Sequence, residues 1–221
     1  MQIKPQNAKK FFILIGQVIL SITELNFKAN ILHGNINTSM LYLKHKDGFK
    51  KIDENLESVI TNFDRIVQNP IEYKAENDRI RYDLICRPPE MKKYTISLKD
   101  GSQLLHLYPY SKDFLEDVYA LGITINNAIS TFISDIEKTE SYIRELKEIS
   151  SKMVNGEEVP SDNTNRLSNL KKIDMKRVLF LYLEAMNKAK SKVFNDSYTD
   201  LKNAIEKTLK YLKVELPKNL I

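Results

Sequence analysis

The stretch LEDVYALGITINNAISTFISDIEKTESYIREL, residues 115–146, decides how this chain is read. Leu115, Val118, Gly122, Ile125, Ile129, Phe132, Ile136, Thr139, Ile143 and Leu146 follow one another at alternating steps of three and four. That spacing lines one side of an α-helix with apolar side chains, and no proline interrupts it. Asp113, with Glu116 three residues on, marks a helix start, and the register runs on through Ser150 to Met153 before NGEEVPSDN ends it. A single helix over 113–153 would be roughly 60 Å long. Leu115, Val118, Gly122, Ile125, Ile129, Phe132, Ile136, Ile143 and Leu146 then form a seam that needs a cover, from other helices of the chain or from a second copy. Gly122 lies on that seam, where the missing side chain lets a partner backbone come close.

Working outward, the same periodicity recurs. Phe11, Ile15, Val18, Ile22, Leu25, Ala29 and Leu32 predict a first helix from about Asn7 to His33, closed by Gly34. Ile52, Leu56, Val59, Phe63 and Ile66 predict a second over Phe49–Asn69, stopped by Pro70. NINTSMLYLKHKDG, between the two, fits either more helix or a loop. Met175, Leu179, Tyr182, Met186, Ala189 and Val193 predict a helix from about Thr164 to Phe194, and a last one runs from Ser197 to about Lys213. Over 79–108 the period changes to two: RIRYDLICR and KYTISL alternate, and Asp100-Gly101 sits between apolar runs as a hairpin signal. The expectation is one mostly α domain over 1–221, an elongated helical bundle with long heptad-patterned helices and a small inserted antiparallel β-hairpin or meander. Residues 1–70 supply N-terminal helices, 71–110 the insertion, and 111–221 a long helical hairpin plus the C-terminal helix.

With 42% hydrophobic residues over 221 positions, a sizeable core is possible and general disorder is excluded. The lone Cys86 excludes an internal disulfide and points to a reducing, cytoplasmic setting. In an alternating strand, Cys86 itself reads as a small buried apolar residue. KKFFILIGQVILSI resembles a signal peptide in its basic start, but Gln17, Thr23 and Glu24 interrupt it and it is shorter than a membrane span. Residues 11–22 are the one membrane candidate, and a membrane partner is not expected. The layout of a β element between long helices is loosely similar to that of some helical pore-forming toxins. Here, though, Lys93, Thr95, Ser97, Lys99 and Asp100 make the hairpin too polar to insert.

Signatures of chemistry are sparse. There is no Gly-rich phosphate loop and no closely spaced Cys or His pair, so neither a cofactor nor a metal is expected. Helical nucleases of the abortive-infection type carry an Arg followed closely by His, and no such pair occurs. His33 reads as a cation in the last turn of the first helix, and His106 as an exposed strand residue. Glu137, Glu140, Glu145 and Glu148 interleave with Lys138, Arg144 and Lys147 as a solvated helix face. Basic residues are the main polar signal. Arg79, Arg81, Arg87, Lys92 and Lys93 surround the hairpin, and Lys171, Lys172, Lys176 and Arg177 open the fourth helix. Positive charge there opposes the helix dipole, so the acidic loop Glu157–Asp162 or an external polyanion must compensate it. These patterns point to a non-catalytic scaffold or assembly protein acting through a protein partner or self-association. A nucleic-acid module using the two basic clusters is the alternative, and a helical enzyme such as an atypical nuclease comes third.

Overall fold

Residues 8–45, 56–61, 63, 66–68, 80–81, 95–97, 103–105, 114–133, 140–158, 170–189 and 196–217 are described by the computed structural model. The 115–146 stretch is not one helix. It forms α2 (Leu115–Phe132) and α3 (Ser141–Asn155), and the two pack against each other more extensively than any other pair of elements. Ile133 turns to extended backbone (φ −112°, ψ 123°), and Glu140 enters α3 from an extended conformation. Around the break stand Thr131, Ser134, Asp135, Thr139 and Ser141, side chains that compete for backbone hydrogen bonds and favour helix ends. The chain folds back with its apolar phase intact, so one stripe is buried against itself. The 60 Å rod becomes two helices of 18 and 15 residues.

The seam residues are placed accordingly. Val118, Ile125, Ile129, Ile143 and Leu146 are buried core, Gly122 is buried and Leu115 half-buried. Ile136 and the Phe132 side chain lie outside what is described. A Cβ at Gly122 would meet Met153 Cβ at 2.9 Å and Ser150 O at 3.1 Å. The partner backbone that this glycine admits is therefore α3.

At the centre stands α1 (Ala8–Phe27), packed against α3, α4 (Met175–Lys188), α5 (Asp196–Tyr211) and the strand Leu56–Ile60. Phe12, Ile13, Ile19 and Ile22 on it are almost fully buried. By length and composition α1 would cross a membrane, yet 61% of its apolar window is buried inside the protein, as a core helix requires. Its fit to α4 turns on Gly16. Tyr182 stacks on Phe12 (centroids 4.6 Å, 19°) and donates its hydroxyl to Phe12 O at 2.6 Å, lying where a Cβ at residue 16 would fall. Tyr198 likewise donates to Met186 O, locking α5 to α4.

Three further helix expectations are corrected. α1 stops at Phe27 rather than His33, because Asn30 (φ 54°) and Gly34 (φ 70°) take left-handed backbone and Ile31–Leu32 becomes a strand, β1. Within Phe49–Asn69, the span expected to be helical, Leu56–Ile60 and Val67–Gln68 are strands instead. After a short 3-10 turn (Thr38–Met40), β2 (Leu41–His45) pairs antiparallel with β3 (Leu56–Ile60), Leu41 opposite Ile60 and His45 opposite Leu56. Gln17 Oε1 accepts from both Ser58 N (3.0 Å) and Ser58 Oγ (3.1 Å), which fastens β3 to α1. β4 (Val67–Gln68) returns to pair with β1. The helix expected from Thr164 begins only at Met175, where Asp174 accepts from Arg177 N at 2.9 Å as N-cap. Before it, β9 (Leu170–Lys171) pairs with β8 (Glu157–Glu158). The inserted sheet is present as β5 (Ile80–Arg81), β6 (Thr95–Ser97) and β7 (Gln103–Leu105), in the antiparallel order β5-β7-β6. β6 and β7 flank the Asp100-Gly101 turn signal, with Ser97 opposite Gln103.

Candidate functional site

Two of the three regions that gather functional groups meet at His33. The first is a buried polar node between the end of α1, the turn after it and the first turn of α2. Asp117 is 1% exposed. Its Oδ2 accepts from Asn26 Nδ2 at 2.9 Å and from His33 N at 2.8 Å, and its Oδ1 accepts from Gly34 N at 2.9 Å. The left-handed Asn30 and Gly34 bend the chain so that successive backbone N–H groups face one carboxyl group. Asn26 Nδ2 also donates to Ile31 O at 2.9 Å. Burial pushes the Asp117 carboxyl upward, while Asn26, the two backbone amides and the nearby His33 ring pull it down.

His33 is fully buried in the turn after α1 rather than in the last turn of a helix, which corrects the sequence expectation. Its Nε2 lies 3.0 Å from Thr61 O, and because a carbonyl only accepts, Nε2 carries the hydrogen. Nδ1 has no hydrogen-bond partner among the described residues. The imidazole also supports the Phe63 ring, at 5.1 Å and a 55° tilt. The node thus joins α2 to the segment after β3. Both His33 and Asp117 are closed off from solvent, so the arrangement holds structure and offers no open cleft for a substrate.

The second region lies on the surface above that node. Ser21 and Leu25 of α1, Ser58, Val59 and Ile60 of β3, and Phe63 line a groove of about 290 Å³. Phe63 is 49% exposed, Ile66 43% and Tyr42, opposite Val59 in the hairpin, 57%. The third region is a cleft of about 550 Å³ lined by Leu115, Glu157, Glu158, Lys171, Lys172, Ile173, Asp174 and Arg177. Arg177 donates to Glu157 through Nε (2.9 Å) and Nη2 (2.7 Å), a bidentate pair. That hydrogen-bonded guanidinium holds the Glu157 carboxyl below its ordinary value.

The basic residues named from sequence are divided by the fold. Lys171, Lys172 and Arg177 share the cleft, while Lys176 lies 4.5 Å over the Phe27 ring. Of these charges, that of Arg177 is met by Glu157, and Asp174 caps the start of α4. Of the hairpin cluster, Arg79, Arg87, Lys92 and Lys93 lie outside the described residues, as do Cys86, His106 and the Arg81 side chain; the Arg81 backbone pairs opposite Leu104. Among the described residues no group of three His, Cys, Asp or Glu side chains is placed to hold a metal ion. Sequence reasoning missed Asn26, Asp117, Thr61 and Phe63 as a connected set, since they come from separate segments and share no motif. No known protein family matches the chain, nor does any curated protein or solved structure.

Proposed function

We propose that the protein is a non-catalytic helical module that works by contact with another protein chain, through the face built on β3, Phe63 and Ile66. One observation carries this reading: Tyr42, Phe63 and Ile66 are large hydrophobic side chains exposed at the surface, and Phe63 lines the groove between α1 and β3. Their scaffold is held in place, Phe63 by the buried His33 ring and β3 by Gln17. Exposed large hydrophobic side chains next to a groove are the form of surface that a partner covers. In this reading the 115–146 stripe serves the interior, and assembly uses the hairpin face instead.

The test is light scattering during size-exclusion chromatography of nuclease-treated protein, compared with Phe63→Ser/Ile66→Ser. Self-association through this face gives a multiple of the 25.7 kDa chain mass that falls to a single chain in the double variant. If the wild type is already a single chain, a photo-crosslinker at residue 63 should form one discrete adduct with a different protein in the native host. A monomer that forms no adduct sinks the proposal. Retained absorbance at 260 nm would instead favour the nucleic-acid alternative, to be followed by Lys171→Glu and salt titration.

A further inference from the structure

The hydrogen-bond inventory of the buried node does not close. Asn26 Nδ2 spends its two hydrogens on Ile31 O and Asp117 Oδ2. Asn26 Oδ1 is then a buried acceptor with no donor among the described residues. Turning the carboxamide over does not help, because its oxygen would face Ile31 O and Asp117 Oδ2, both acceptors. On the carboxyl group, Oδ2 accepts two N–H bonds and Oδ1 only one.

Charge is unbalanced at the same place. Neither Lys nor Arg reaches Asp117 among the described contacts, and the titratable group facing it is His33, from the turn after α1. α1 presents Asn26, which does not ionise, and the 3-10 turn packed on α2 carries Thr38, Ser39 and Met40. α3 meets α2 farther along, with Ser150 on Asn126 and Met153 on Gly122. Glu116, next on α2 itself, is also buried and adds a second acidic group rather than a counter-charge. Three N–H donors and the N-terminal turn of α2 favour a carboxylate. Complete burial opposes it and is the larger influence, outweighing these donors and the nearby His33 ring.

We infer that Asp117 is a neutral carboxylic acid in the folded protein, its proton on Oδ1 and donated to Asn26 Oδ1, so that the two side chains form a cyclic acid–amide pair. One proton supplies the missing donor and removes the buried charge together. Oδ2 remains the carbonyl oxygen, free to accept from Asn26 Nδ2 and His33 N, and Oδ1 keeps a lone pair for Gly34 N. The proton comes from water as the chain folds, and no other bond is made or broken. The same node holds His33, and His33 holds Thr61 and Phe63, so the position of the exposed face is tied to this proton.

The sign of the pH dependence follows. A carboxyl group with its folded pKa raised binds the proton more tightly in the folded state. Its stabilising contribution is complete below the unfolded value, about 3.9 for an aspartate, and is lost as pH rises toward and through the folded value. The direct measurement is the ¹³C carboxyl resonance of Asp117 in selectively labelled protein, assigned by its absence from Asp117→Asn. The resonance is expected at the protonated-acid position at neutral pH. Finding it at the ionised position overturns the inference, whether or not the variant folds well. As a second readout, the folding equilibrium constant of the wild type should fall as pH rises above the unfolded aspartate value, by up to about tenfold per pH unit, relative to Asp117→Asn. Equal slopes for the two proteins would overturn it as well. Neither readout depends on the partner-binding proposal, so the two readings fail separately.

Discussion

Gly16 is the residue at which the core is least forgiving. Its missing Cβ is the space occupied by Tyr182, whose hydroxyl oxygen would lie 2.3 Å from it. Gly16→Ala should therefore destabilise the protein by about 1–3 kcal/mol, despite the better helix propensity of alanine. Urea unfolding monitored by far-UV circular dichroism reads this directly, and an unchanged midpoint would mean that Tyr182 packs elsewhere. Tyr182 itself is fully buried, and burial pushes its hydroxyl well above the ordinary tyrosine value. Tyr182→Phe leaves Phe12 O without this donor and should cost about 1 kcal/mol. The outward residues behave differently. Phe63 and Ile66 are exposed, so Phe63→Ser/Ile66→Ser should shift stability by less than ~0.5 kcal/mol while changing association.

Among the elements, the α2–α3 hairpin carries the sharpest expectation. A charge on the seam of a coiled-coil assembly would dissociate chains but leave each one folded. Here Ile129 is 1% exposed inside the chain, so Ile129→Asp should unfold the protein, at a cost of ~3 kcal/mol or more. A folded, cooperative Ile129→Asp monomer would contradict the packing. The β8–β9 ribbon and the start of α4 are joined by Glu157 and Arg177, both part-exposed, so their pair is worth ~1 kcal/mol or less and weakens in salt. Because Arg177 holds the Glu157 carboxyl low, that contribution is present above the unfolded glutamate value, about 4.3, and fades as pH falls through the folded value. Glu157→Gln should flatten this part of the acid limb in a pH series of unfolding midpoints. The Asp174 cap adds a separate increment: Asp174→Ala should cost about 1 kcal/mol by freeing the Arg177 amide.

At the scale of the whole molecule, one core cluster draws on all five α-helices among the described residues, with α1 at its centre. Ile22, fully buried on α1, should cost about 2–5 kcal/mol when changed to Ala and lower a single thermal transition rather than split it. Two separate transitions in calorimetry would show that the elements form more than one cooperative unit. Periodicity alone determined that the chain is mostly helical, that its apolar stripes at 11–22, 115–132, 143–153 and 175–186 face a core, and that Asp100-Gly101 joins two strands. Those properties are local, set by which side chains repeat at a helix or strand period. Only the tertiary structure decided that the 115–146 stripe folds back on itself, since the three-and-four alternation runs through the sequence between Ile133 and Glu140 without interruption. It also decided that Leu56–Ile60 is a strand, because β2 pairs with its backbone and Gln17 accepts from Ser58 N, contacts that come from segments distant in sequence. The polar node was illegible for the same reason. Asn26, His33, Thr61 and Asp117 are ordinary residues in four separate segments, and they acquire chemistry only when the left-handed turns at Asn30 and Gly34 bring backbone amides and an imidazole to one buried carboxyl group.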